Sequence, residues 1–212
     1  MSESQPETQP TDEVMDATVA AYDLDHTGWA AQTPTVRSHL VDDLISLIDP
    51  GSEVLELGSG RGLDALELER AGLIVHRTDG AVAFVDALRD QGFPARVLDV
   101  RASSFGGPFD AIFANAVLLH VPRDRLVAVL ATALRATHPG GVFAFTLKKG
   151  DGDAWSTAKT SQPRHFTYWS EDDIADALIE SGWTIERVYD STHPSVREQW
   201  ITAIARRPAE SQ

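Results

Sequence analysis

Between residues 33 and 206 the apolar positions alternate between two rhythms, and each change of rhythm marks the edge of an element. From Thr33, a side chain suited to cap a helix, with Pro34 at the first helical position, Val36, Leu40, Leu44 and Ile48 recur at four-residue spacing until "DPG" ends the run. A leading amphipathic helix is expected there. Strand-length apolar runs then alternate with helical patterns: strands at 53–57, 73–79, 95–99, 109–115 and 140–147, with helices at about 63–71, 82–90 and 123–137 between them. Ser170 with Asp173 makes a capping box, Ile174 and Leu178 give the next helix an inner face, and Gly182 ends it. Strands at 183–190 and 200–206 follow with no helix between them, so they are expected to run antiparallel at the sheet edge. The fold class is α/β: a Rossmann-like, doubly wound, mostly parallel sheet of seven strands, the last antiparallel, with helices on both faces.

Composition narrows what such a sheet can serve. The 212 residues are 42% hydrophobic and 24% charged, which suits one catalytic-sized domain over residues 14–206 with a short tail at 207–212. "MSESQPETQPTDE" (1–13) has too few apolar residues to offset the entropy of ordering and is expected to be a disordered acidic tail. No apolar run approaches the ~20 residues of a membrane span and no basic-then-apolar leader opens the chain, so a cytoplasmic protein without membrane contact is expected. The absence of cysteine removes disulfides, thiolate metal sites and thiol nucleophiles. Of the formal charge of −14, seven acids lie within residues 1–36, which hold no Lys or Arg. No basic stripe invites a polyphosphate, and nucleic acid is not an expected partner.

The chemistry gathers around "VLELGSGRGLDAL" (54–66), where a strand runs into Gly58, Gly60 and Gly62 and then into a helix. In an open parallel sheet this first strand-to-helix loop is where ligands bind. A dinucleotide fingerprint needs a third glycine at position 63, and Leu63 stands there. Asp79 ends the second strand, 21 residues after Gly58, where a carboxylate can accept from both hydroxyls of a ribose. Asp99 ends the third, placed to accept from an adenine amine while Val100 packs on the ring.

These residues resemble the class I S-adenosylmethionine-dependent methyltransferases. "VLELGSGRG" looks like their first motif, "TDG" (78–80) their second, "LDV" (98–100) their third and "FDAIFANAVLLHVP" (109–122) their fourth, and "LRATHPGGVFAFT" (134–146) is similar to the helix-to-strand passage that follows. The resemblance covers residues 33–206, with the texture of a small-molecule branch similar to the ubiquinone-biosynthesis methyltransferases. It implies S-adenosyl-L-methionine as cofactor and a small-molecule methyl acceptor, with the chain a monomer or homodimer. Glu56, Gly58, Ser59 and Gly60 would hold the methionine part, Asp79 with Gly80 the ribose, Asp99 and Val100 the adenine, and Asn115 would lie along the cofactor floor.

Transfer from a sulfonium needs chiefly alignment and desolvation, and a general base where the acceptor carries a proton. His120, after the fourth strand, is the candidate catalytic base; a structural histidine bonded to backbone before Pro122 is the competing reading. Asn115 could instead orient the acceptor. The aperiodic stretch 153–170 reads as a lid or binding loop, with Trp155, Arg164 and Tyr168 as acceptor contacts and Arg164 suited to a carboxylate or phosphate. In the other reading Phe166 and Trp169 only anchor that loop. Tyr22, in "AAYDLDHTGW", is placed to close over the cofactor, and Asp23, Asp25 and His26 lack a partner cluster, so no metal is expected. A binding module that keeps the fold without turnover is the alternative function.

Overall fold

β1 (Glu53–Glu56) and β4 (Phe109–Ala114) bury side chains on both faces, as strands of a covered parallel sheet must. Val54, Ala111 and Phe113 point to one side with Leu40, Leu44 and Leu68, while Leu55, Ile112 and Ala114 point to the other with Leu130, Phe143 and Trp183. That two-residue alternation places one apolar layer on each side of the sheet. The computed structural model describes residues 11–33, 35, 37–191 and 198–209.

The chain continues from α1 (Thr11–Gln32) and α2 (His39–Ile45) through β1, α3 (Leu63–Arg70), β2 (Ile74–Asp79), α4 (Val82–Asp90), β3 (Ala95–Val97) and β4. A 3-10 turn (Leu118–His120) leads to α5 (Arg123–Arg135), β5 (Thr137–Lys149), β6 (Asp153–Ser156), β7 (Arg164–Trp169), α6 (Glu171–Glu180), β8 (Thr184–Asp190) and β9 (Trp200–Arg206). Strands β3, β2, β1, β4 and β5 lie side by side and parallel. β9 adds antiparallel to β5, and β8 antiparallel to β9. Ser170 and Asp173 form the expected reciprocal cap on α6.

Four expectations change. The sheet has nine strands rather than seven, because 153–170 is not an aperiodic loop: β6 and β7 form a hairpin, and β7 pairs with the end of β5 at Lys148 and Lys149. "RHFTYW" is rich in aromatic and β-branched residues that favour such pairing. The helix carrying Leu40 and Leu44 starts at His39, capped by Ser38, whose Oγ accepts from Leu40 N, and not at Thr33; Pro34 and Val36 lie outside the described residues. Arg207, assigned to a tail, donates to the carbonyls of Leu134 and Thr137, which ties it to the end of α5.

The fourth change matters most for the site. Residues 11–13, read as tail, open the 22-residue helix α1, while residues 1–10 lie outside the described residues. Asp12 and Glu13 sit in its first turn, where acids favour the helix dipole, and Met15, Thr18 and Ala21 form its buried face. At Asp25 the backbone leaves the helix (φ −142°, ψ 38°), and the Asp25 carboxylate accepts from Gly28 N, capping the second half. Its other oxygen accepts from Ser161 N of the β6–β7 hairpin at 2.7 Å. Asp23 accepts from Ala83 N in the first turn of α4 at 2.8 Å. The acids of "YDLDH" are thus caps, one of them on a distant helix.

Candidate active site

Strand order turns back at β1, with β2 on one side and β4 on the other, so the carboxyl end of β1 opens on a crevice. The loop that follows is held to its neighbours by Leu57 N to Phe113 O at 2.9 Å and Ser59 N to Thr78 O at 2.7 Å. Two of its glycines are required by geometry. Gly58 has φ +67°, and a Cβ there would fall 2.3 Å from Val117 Cγ2. Gly62 has φ +74° where α3 begins, and a Cβ would sit 2.8 Å from Leu88 Cδ2. Under the loop, Glu56 is 2% exposed and hydrogen-bonded by Ser59 Oγ; burial pushes its carboxyl up to about 8.

Loop, α1 and the strand tips enclose a cavity of about 260 Å³. Asp79 enters from β2: its Oδ2 accepts from Gly60 N and its Oδ1 from Ala81 N, each at 2.9 Å, and burial pushes it up to about 6. Asp99 enters from the loop after β3. Burial acts to raise its pKa, but hydrogen bonds and charge from Arg101 outweigh that and hold the carboxyl below the usual range. The same guanidinium reaches Asp16 at 2.6 Å, so Arg101 joins the loop after β3 to α1. Asn115 Nδ2 donates to Asp64 at 2.8 Å, and its Oδ1 accepts from Thr146 Oγ1 at 2.9 Å. Burial raises the Asp64 carboxyl. The next residue, Ala116, holds φ 56°, a strained value for a side chain with a Cβ.

The remaining wall is a hydrogen-bonded chain. His120 Nδ1 lies 2.5 Å from the carbonyl oxygen of His165, which only accepts, so Nδ1 carries the ring proton. Nε2 is therefore the acceptor, and the Tyr22 hydroxyl, 2.9 Å away, donates to it. Arg164 Nη1 in turn donates to Tyr22 Oη at 2.8 Å. Burial, with the nearby positive charge of Arg164 and Lys148, pushes His120 down to about 3, so its imidazole is neutral. Tyr22 also packs its ring near Trp29 and Phe84, at centroid distances of 5.9 Å.

Residues 29–188 match the family model described as a methyltransferase domain. The chain belongs to that family. A curated relative, Hemagglutinin 1 of Eikenella corrodens, is 32% identical over 113 residues, 50% of this chain; the chain spans 37% of that relative's length. Among solved structures, the methyltransferase domain is similar to the Burkholderia thailandensis 1,6-didemethyltoxoflavin-N1-methyltransferase bound to 1,6-didemethyltoxoflavin and S-adenosylhomocysteine. That match has a TM-score of 0.74 at 19% identity, over 97% of this chain and 93% of that one. The DhpI–SAH complex matches with a TM-score of 0.71 at 22% identity, over 93% of this chain and 98% of the other. At these identities the likeness is one of fold. No described helix of the methyltransferase domain is long and apolar enough to cross a membrane.

Most of the residues singled out from sequence meet at this cavity. Gly58, Ser59, Gly60, Asp79, Gly80, Asp99, Val100 and Asn115 line it, as do Tyr22 and His120. Glu56 lies beneath the loop, and Arg164 reaches the cavity only through Tyr22. Trp155 and Tyr168 do not line it: Trp155 is 47% exposed against His165, and Tyr168 pairs with Lys148 along β5. A period-two strand sends alternate side chains to opposite faces, which a loop reading cannot anticipate. Sequence reasoning missed Trp29, Phe84 and Asp64. The signal for Trp29 was the spacing of Met15, Val19 and Tyr22, had α1 been recognised as a helix.

Proposed function

We propose that this methyltransferase domain binds S-adenosyl-L-methionine in the cavity and methylates a small-molecule acceptor. One observation carries the reading: Asp79, at the tip of β2, and Asp99, in the loop after the adjacent β3, face the same cavity as the glycine loop. The residues fit the cofactor. Asp79 is fixed by two backbone donors and offers its remaining lone pairs to ribose hydroxyls. Asp99 lines the cavity beside Val100, where an adenine amine would share its carboxylate with Arg101. The turn from Gly58 to Gly60 lets backbone approach the methionine part closely, and Asn115, held by Asp64 and Thr146, forms the floor.

A bound sulfonium supplies an already activated methyl group, so the chain's work is to align the acceptor and exclude water. α1 does the excluding, laying Met15, Tyr22 and Trp29 over the opening. His120 holds Tyr22 in place rather than removing a proton, since its free ring nitrogen already accepts the Tyr22 hydroxyl. A partly open cavity of this size on a chain of net charge −14 suits a small molecule better than a polyphosphate.

Thermal unfolding tests the reading without knowledge of the acceptor. S-adenosylhomocysteine raises the melting temperature through linkage and NADH does not. Asp79→Ala removes two charge-assisted hydrogen bonds, worth about 1.5 to 3 kcal/mol each, and abolishes the shift. A shift of unchanged size in that variant rules out the ribose assignment.

A further inference from the structure

Arg164 is 4% exposed, and its hydrogen-bond partners are neutral oxygens: Thr160 Oγ1 at 2.9 Å, Tyr22 Oη at 2.8 Å and the carbonyl of Ala158. No Asp or Glu among the described residues pairs with it. Burying a guanidinium without a counter-charge is costly, and a fold keeps such a group where something else supplies the anion. The acids that line the cavity stand on one side of it, with Arg61 of the glycine loop and Arg101, which binds Asp99, among them. Asp64 comes from the start of α3, Asp79 from the end of β2 and Asp99 from the loop after β3. Further basic groups come from the other wall: His120 after β4, Lys148 near the end of β5, and Arg164 and His165 on β7. Lys148 is paired with Glu198 at 2.9 Å and His165 with Asp153 at 3.3 Å, and His120 is neutral. Arg164 alone of these carries an uncompensated charge.

Resting on the methyltransferase reading, we propose that the acceptor binds as an oxyanion, a phenolate, enolate or carboxylate, against Tyr22 Oη, with Arg164 as its counter-charge through that hydroxyl. Arg164 donates to the Tyr22 oxygen, which makes the O–H a stronger donor. A hydroxyl hydrogen rotates freely, so it turns from His120 Nε2 to an acceptor oxygen in the cavity. The acids face a cationic donor and the Tyr22 wall faces an anionic acceptor.

The arrangement removes the need for a base. A lone pair of the acceptor oxygen forms the bond to the methyl carbon, the carbon–sulfur bond breaks with its pair going to sulfur, and both charges are cancelled. The products are a methyl ether or ester and a neutral thioether. No proton has to leave, so the step makes no demand on His120, whose ring proton is held at Nδ1.

The test uses the full chain saturated with S-adenosylhomocysteine and four probes: 4-nitrophenol, benzoate, acetate and the neutral isostere benzamide. Bound 4-nitrophenol ionises at lower pH than in buffer, read as phenolate absorbance, and at least one anion binds about tenfold or more tighter than benzamide. Preference for 4-nitrophenolate over the carboxylates assigns a phenol or enol acceptor, and the reverse a carboxylic acid. Arg164→Gln and Tyr22→Phe each erase the preference while the melting shift with S-adenosylhomocysteine stays. Equal binding of benzamide and the anions, no binding of any anion, or a preference that survives both variants overturns the proposal. A missing shift with S-adenosylhomocysteine refutes the cofactor reading instead, and the anion preference is then read on the ligand-free protein.

Discussion

Among the described residues two arginines are buried, and the fold treats them differently. Arg77, on β2, is 3% exposed and meets both oxygens of Glu69 through its two terminal nitrogens, each at 2.7 Å, with Phe93 under its guanidinium at 4.6 Å. Arg164, on β7, is as deeply buried at 4% but meets no carboxylate among the described residues: it donates to a threonine, a tyrosine and a backbone carbonyl and lies 5.1 and 5.2 Å from the rings of Tyr22 and Phe166. The fork-to-fork geometry of Arg77 balances its charge within the chain, although its buried Nε has no hydrogen-bond partner among the described residues. Arg164 has its hydrogen bonds but not its charge satisfied. The difference separates an arginine that holds α3 against the sheet from one held in reserve beside a cavity.

The largest expected effect falls on the paired arginine. Arg77→Met strands Glu69, and because the Glu69 side chain is 35% exposed the loss sits at the low end for a buried pair, about 3 kcal/mol. For a chain of this size that lowers the melting temperature by roughly 6 to 12 °C, while affinity for S-adenosylhomocysteine stays near that of the parent. Arg164→Met reverses the pattern. Removing an unpaired buried cation relieves its desolvation, so stability changes by no more than about 1 kcal/mol, whereas methyl transfer to the acceptor falls about 10- to 100-fold. Equal loss of stability in the two variants, measured by chemical denaturation, would collapse the distinction between them.

Sequence order hides this comparison for a physical reason. The glycine loop was legible because its requirement is local: Gly58 and Gly62 need positive φ within a turn of a few residues. The strand ends near Asp79 and Asp99 followed from strand-length apolar runs, β3 stopping two residues short of Asp99. The wall containing Tyr22 did not, because its bonds join residues far apart in the chain, 98 positions from Tyr22 to His120 and 142 from Tyr22 to Arg164. No helix is expected from the sequence over residues 14–32, because the partners of Asp16, Asp23 and Asp25 are Arg101, Ala83 N and Ser161 N, none of them nearby in sequence. Likewise "RHFTYW" reads as a strand only once the exposed end of β5 is known to be there for it to pair with.

Glu56 shows a third way to bury a charge, and it sets the smallest of these effects. It lies 2% exposed with Ser59 as its hydrogen-bond partner, and burial pushes it up to about 8, so at neutral pH the fold keeps the carboxyl protonated instead of pairing it. The sign follows from proton counting. Between the ordinary value of 4.5 and about 8 the folded chain binds more protons at this position than the unfolded chain, so the contribution of Glu56 to stability falls as pH rises through that window. The slope is about 1 kcal/mol per pH unit near neutrality. Glu56→Gln keeps the shape and loses the titration, so the stability of the variant relative to the parent climbs by that amount for each unit between about pH 6 and 7. Parallel pH profiles of parent and variant in urea unfolding would mean that Glu56 is ionised in the folded state, and that the fold balances it with charge, as it does Arg77, rather than with a proton.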